Sequence, residues 1–405
     1  MRFNIQKGET YSPLYFLASL GAGGIVISFF MYLMFMAPHE GSPIPQWGHV
    51  LAAVTSNNVY LQALSVTAAI GIILFAIMHF YLLTMNIIAY SLFKKTDDFT
   101  ALRNSNAEIQ LMAIPLTLAM TVNVFLILGS LFVPGLWSII DWLFPVAFLA
   151  FLSVGIYALK IFIGFLARVL TSGNFDCSRN NNLSQMLAIF AFTMVAVGFS
   201  APAAMSQDLF MSGISLIFSI IFMSIAVLFA ITKFILGFRS MFEHGIETDN
   251  AVSLWITIPI LTLIGITLFR LSMATHHNFG THNDAIDGLT LFTAIGGLQL
   301  MFGILGYVVM KHLGYFKKFV SGTAKSASSY ALICPGVAAY VVSFFFVHQG
   351  LVATEMVEQF SIGYFVLFIP LVLLQMQTIR VLLKLNGKMI SFRKQPPILV
   401  SKMVS

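Results

Sequence analysis

Apolar stretches of about 20 residues or more recur from Leu14 to Leu385, and only 9% of the chain is charged. Each is long enough to cross ~30 Å of hydrocarbon as a helix rising ~1.5 Å per residue. Inside hydrocarbon the protein itself must satisfy every peptide N–H and C=O, which leaves helices or a closed barrel. Barrel strands would show as short segments of alternating polarity, whereas these runs are continuous. The expected fold class is all-α integral membrane. No P-loop, nucleophile elbow or dinucleotide fingerprint stands in the context it needs, and no long soluble segment offers room for a catalytic domain. The expectation is a protein that is not an enzyme and has no catalytic residues, cofactor or metal site.

Ten transmembrane helices are expected at 13–37, 59–93, 109–132, 137–170, 185–206, 209–241, 251–275, 288–316, 328–350 and 359–385. Residues 1–12 precede the ten-helix domain at 13–386, and 387–405 form a basic tail. Polar Met1 to Thr10 leads into a first apolar segment of full spanning length, so that helix is expected to stay rather than to be cleaved as a signal. Arg2, Lys7, Lys94, Lys95, Arg103, Arg168, Arg179, Arg239, Lys317, Lys318, Lys325, Lys388, Arg393, Lys394 and Lys402 all fall on the side of the N-terminus. The opposite loops, near 38–58, 133–136, 207–208, 276–287 and 351–358, contain no Lys or Arg. The positive-inside rule then places both termini in the cytoplasm, and the expected location is a bacterial inner membrane. The net charge of +6 is explained by this topology, with the lipid bilayer and not nucleic acid as partner. Cys177 falls in a cytoplasmic loop and Cys334 within the membrane, so no disulfide is expected.

A repeat is visible across the even-numbered helices. Near their cytoplasmic ends stand Lys160 in "LKIFIGF", Lys233 in "TKFILGF", Lys311 in "MKHLGYF" and Arg380 in "TIRVLLK". Helix two has Asn86 there instead. The simplest account is a cation reaching for the headgroups, and the spacing argues for five related helical hairpins. In the odd-numbered helices, about seven residues from the expected start, come Gly21, Pro115, Pro259 and Pro335. Proline bends a helix and glycine permits close approach, so these helices are expected to bend at a common depth. Helix five departs from the pattern, with Phe192 near that depth and Pro202 toward its outer end.

Five hairpins, cytoplasmic termini and odd helices bent at one depth resemble the tellurite-resistance and dicarboxylate-transporter (TehA-like) family, which includes the plant slow anion channels. "SPLYFLASLGAGG", "APHEGSPIP" and "ICPGVAAYVV" also resemble a TsoY-type branch that includes selenoproteins. The resemblance implies an inner ring of odd helices around a central pore, an outer ring of even helices, a phenylalanine gate at mid-depth and a homotrimer. In the channels the gating phenylalanine precedes a proline of helix nine. The corresponding residue here is Cys334, a departure that leaves Phe192 as the aromatic of that layer. Cys334 is open to two readings: a small buried hydrophobe, or a pore-facing thiol that senses redox state or a soft ligand.

Arg270 is the one basic residue in the outward half of the membrane region. Eleven residues from Pro259, it returns to nearly the same helical face about three turns outward. Two readings stand: a guanidinium that attracts anions into a vestibule, or one that snorkels outward or pairs with Asp284 or Asp287. Phe345, eleven residues beyond Cys334, is either a pore constriction or packing. His276, His277, His282 and Asp284 lack the spacing of established zinc motifs, while His276 and His348 are candidate pH sensors. Thr117, Thr121, Thr193 and Ser200 could offer hydroxyls to an ion or bond back to their own backbone.

The favoured function is a passive channel or transporter for a small inorganic or organic anion, lined by helices one, three, five, seven and nine and gated near Phe192 and Cys334. The alternative is a membrane thiol-redox or sulfur- and selenium-handling protein using Cys334.

Overall fold

The computed structural model describes residues 2–3, 11–173, 181–282 and 284–391. Among them are ten helices long and apolar enough to cross a membrane: α1 (Pro13–Met36), α2 (Val59–Phe93), α3 (Asn106–Phe132), α4 (Leu136–Ser172), α5 (Ser184–Met205), α6 (Leu209–His244), α7 (Thr248–Phe279), α8 (Ala285–His312), α9 (Ala327–Val352) and α10 (Ile362–Met389). The chain is a multi-pass membrane protein. Cys177, Arg179, Lys7, Arg393, Lys394, Lys402 and the tail beyond 391 lie outside the described residues.

The expected spans are reproduced within a few residues, with local differences that have physical causes. α8 ends at His312 because Gly314 takes a left-handed φ of 66° and turns the chain, so 313–316 are not part of it. α10 begins at Ile362, where the Ser361 hydroxyl accepts from the Tyr364 N–H. Asn58 and Asp208 cap α2 and α6 in the same way, each accepting from two backbone N–H groups of the first turn. Two short helices, Trp47–Val54 and Asp97–Arg103, occupy segments that read as loops. The only strands among the described residues pair Arg2–Phe3 antiparallel with Ile390–Ser391, which puts the start of the chain beside the end of α10.

All five odd-numbered helices enter through a tight 3-10 segment that passes directly into α-helix, at Phe16, Ala113, Leu187, Thr257 and Ile333. Pro115, Pro259 and Pro335 each stand third in the α-helical part, at the join where the hydrogen-bond pattern changes and a missing N–H is easily accommodated. They stand where the helix type changes near the entry of each helix. In the same register α1 has Ala18 and α5 has Ile189, so Gly21 and Phe192 lie three residues deeper than the prolines.

The odd and even helices differ sharply in environment. In the most apolar window, 61–94% of the residues are buried in the odd helices and 22–39% in the even ones. Each odd helix packs against the even helix that follows it. α1 also touches α3 and α9, α3 touches α5, α5 touches α7, and α7 touches α9. Lys160, Lys311 and Arg380 are exposed.

Polar side chains of the even helices point inward and hold the odd ones. His79 of α2 donates from Nδ1 to the Ser19 carbonyl (2.8 Å), and its Nε2 lies 2.9 Å from Thr121 Oγ1, so one imidazole joins α1, α2 and α3. Gly23 makes room for it: a Cβ there would come within 2.9 Å of His79 Nδ1 and 2.6 Å of Met120 Cγ. Gln299 of α8 donates to the Ile258 carbonyl (2.9 Å) and to Thr262 Oγ1 (2.6 Å) on α7. Gln375 of α10 donates to Ser28 Oγ (2.9 Å) and accepts from Tyr32 (2.8 Å), joining the last helix to the first. In the absence of water such groups hydrogen-bond across helices.

At the entry to α3, buried Glu108 accepts from Arg103 (3.1 Å) and from Arg168 of α4 (2.9 Å), and Arg168 also donates to the Ser105 carbonyl. Removing one member of a buried ion pair is destabilising by about 3–5 kcal/mol. Glu108→Gln is therefore expected to lower the thermal midpoint of the detergent-solubilised protein by several degrees. Size-exclusion fluorescence after heating reads the shift, and an unchanged midpoint would remove the clamp from the account.

Candidate functional site

Between the odd helices lies a cavity of about 130 Å³. Its walls come from all five of them: Leu20, Gly21, Gly24 and Ile27 of α1, Met120 and Asn123 of α3, Phe190, Met194 and Val197 of α5, Pro259, Thr262, Leu263, Ile266 and Arg270 of α7, and Cys334, Val337, Ala338 and Val341 of α9. Within each helix the lining positions recur at three or four residues, the period that keeps one face toward the space. From Pro259 to Arg270 the helix rises about 16 Å, so these two residues mark well-separated levels.

Arg270 is the one charged residue in the lining. Its Nη1 donates to the Val197 carbonyl across the cavity (3.3 Å). The ion pairs of Glu108 and the pair Arg239–Glu243 lie elsewhere and do not involve Arg270. Asp284 and Asp287 are occupied elsewhere, in a capping box at the start of α8. A guanidinium has five N–H donors, so most remain available to a ligand. Asn123 directs its amide N–H groups to the Ala119 carbonyl (3.2 Å) and the Met194 sulfur (3.8 Å). The Thr262 hydroxyl lies 3.1 Å from both the Ile258 and Ala338 carbonyls. Cys334 is a free thiol, half-buried at the wall.

The sequence-derived candidates divide. Gly21, Pro259, Arg270 and Cys334 come together around the cavity, whereas Pro115 and Pro335 are buried beside it and do not line it. Phe192 is a correction. It is fully buried on the opposite side of α5, with its ring 5.3 Å from Phe162 of α4 and 6.2 Å from Phe222 of α6. The aromatic of α5 that faces the space is Phe190. Two residues apart on a helix is a rotation of about 200°, so the two rings cannot share a face. Phe345 does not line the cavity either. One turn beyond Val341, it packs against Phe35 of α1 (5.2 Å), Phe269 of α7 (5.9 Å) and Phe292 of α8 (5.2 Å).

His348 is buried with both ring nitrogens engaged, Nδ1 with the Phe344 carbonyl and Nε2 with the Tyr364 hydroxyl, each at 2.9 Å. It stacks on Phe35 at 4.6 Å. His276 is exposed at the end of α7 and donates to the Thr281 carbonyl (2.6 Å). Among the described residues no three of His, Cys, Asp and Glu are grouped to hold a metal ion. Thr117, Thr121, Thr193 and Ser200 all donate to carbonyls three or four residues back, and none lines the cavity.

Sequence reasoning missed Phe190, Asn123 and His79. Asn123 and His79 carry a usable signal, a polar side chain in the middle of an apolar span. Phe190, Met194 and Val197 are spaced as a helical stripe, but α5 is apolar on every side and the stripe has no contrast. No family model, curated protein or solved structure matches the chain.

With Cys177 replaced by Ser, a small methanethiosulfonate is expected to label Cys334 several-fold faster in Phe190→Ala than in the parent. Phe192→Ala should leave the rate unchanged while destabilising the protein by about 3–5 kcal/mol. Mass spectrometry of the intact protein follows the labelling, and equal acceleration by both substitutions would contradict the assignment.

Proposed function

We propose that the protein is a passive channel or transporter for small anions in a bacterial inner membrane, with both termini cytoplasmic. In this reading the odd helices form an inner ring around the pathway and the even helices an outer one, as five hairpins in the manner of the TehA-like family and its TsoY-type branch. A homotrimer follows from that resemblance. The single observation that carries the reading is the lining: every wall residue comes from an odd helix, and the one charge among them is positive. The succession of contacts from α1 through α3, α5, α7 and α9 back to α1 supports the ring. The lysines and arginines absent from one set of loops support the orientation.

Arg270 attracts the anion in a space where low dielectric strengthens its field. Phe190 and Cys334 face the same space, which makes them the gating positions in this account. The second reading, a thiol-redox or sulfur-handling protein, draws on one observation, the free Cys334 thiol at the cavity wall.

Anion flux into proteoliposomes separates the two. Arg270→Gln is expected to reduce flux at least tenfold in protein that remains monodisperse, while Cys334→Ser retains it. Flux independent of Arg270 would overturn the anion pathway as described. No flux in any form, together with thiol turnover lost in Cys334→Ser, would favour the second reading.

A further inference from the structure

Resting on the anion-pathway reading, we propose that the cavity takes an organic monoanion with a compact apolar body, its charged group at Arg270 and its apolar part extending toward Cys334. Charge sets the valence. The lining holds one guanidinium and no other ionised group, so a second negative charge on a ligand would be buried without a partner.

Polar groups set the kind of monoanion. A small hard ion that sheds its water needs several dipoles around it, as in filters built from rings of carbonyls or charged side chains. The lining offers few. Both N–H groups of Asn123 are committed to Ala119 and Met194, and the Thr262 hydroxyl is committed to backbone carbonyls while its oxygen already accepts from Gln299. Most of the remaining lining is hydrocarbon, including Ile27, Phe190, Leu263, Ile266, Val337 and Val341.

Position sets the orientation. Arg270 and Pro259 lie on one helical face about 16 Å apart along the axis, with Leu263 and Ile266 between them. A ligand held by its anionic end at Arg270 therefore has an apolar wall on its inward side. Burying a methylene there is worth ~0.8 kcal/mol, or about fourfold in affinity.

Alkanesulfonates test this cleanly, because they stay ionised and do not cross lipid as neutral acids. Calorimetric titration of the full chain in nanodiscs, with empty nanodiscs as the blank, is expected to show butanesulfonate binding about 15-fold tighter than ethanesulfonate. Chloride and ethane-1,2-disulfonate should bind at least tenfold more weakly than butanesulfonate. Arg270→Met should abolish the binding and Arg270→Lys restore part of it. Should Arg270→Met fail to fold, Ile266→Trp provides the second arm: filling the apolar wall should weaken butanesulfonate more than ethanesulfonate. Arg270-dependent binding that ignores chain length would overturn the amphiphile inference and leave the anion pathway standing. Chain-length preference that survives Arg270→Met would also overturn it, since partition into hydrocarbon would then suffice. No binding of any anion, together with no anion flux, would overturn both.

Discussion

A polar group inside a bilayer has no water to turn to, and the arrangement of these ten helices follows from where their polar groups go. The even helices leave apolar side chains to the outside and send His79, Gln299 and Gln375 inward, each to a carbonyl or hydroxyl of an odd helix. Those bonds turn buried polar groups of the even helices toward the odd ones. The odd helices can then meet one another along small and apolar side chains, and the space left between them is lined almost wholly by hydrocarbon. Against that background Arg270 is the one charged group in the lining.

The tight 3-10 entries connect the chain to that geometry. Each odd helix begins with the same change of helix type, three of them with proline third after the join. Pro259 and Cys334, third and second after their joins, come to the same space from neighbouring helices. Arg270 reaches it from the far end of α7, where its bond to the Val197 carbonyl spans to α5.

Much of this was legible in the sequence, and the limits have physical reasons. Hydropathy locates the spans because crossing hydrocarbon demands a long apolar run, and α2 was found at its observed bounds, Val59–Phe93. Arg270 stood out because a charge in such a run is conspicuous, and its eleven-residue offset from Pro259 correctly put the two on one face. The helix Trp47–Val54 is too short to announce itself by a span, and it lies among loop residues that hydropathy does not order. The expectation that Phe192 faces the space fails for a different reason. α5 is buried on nearly all sides, so no polar face betrays its orientation, and an error of two residues in register reverses the direction of a ring.

The central claim, that one face of each odd helix borders a pathway, is tested most directly along α7. Single cysteines would be placed from 259 to 270 in a background with Cys177 and Cys334 replaced by Ser, and their rates of reaction with a charged methanethiosulfonate measured in proteoliposomes. The account predicts fast reaction at 259, 262, 263, 266 and 270 and little at 260, 264 and 268. Uniform silence from both sides of the membrane, or fast reaction confined to the second set, would contradict it.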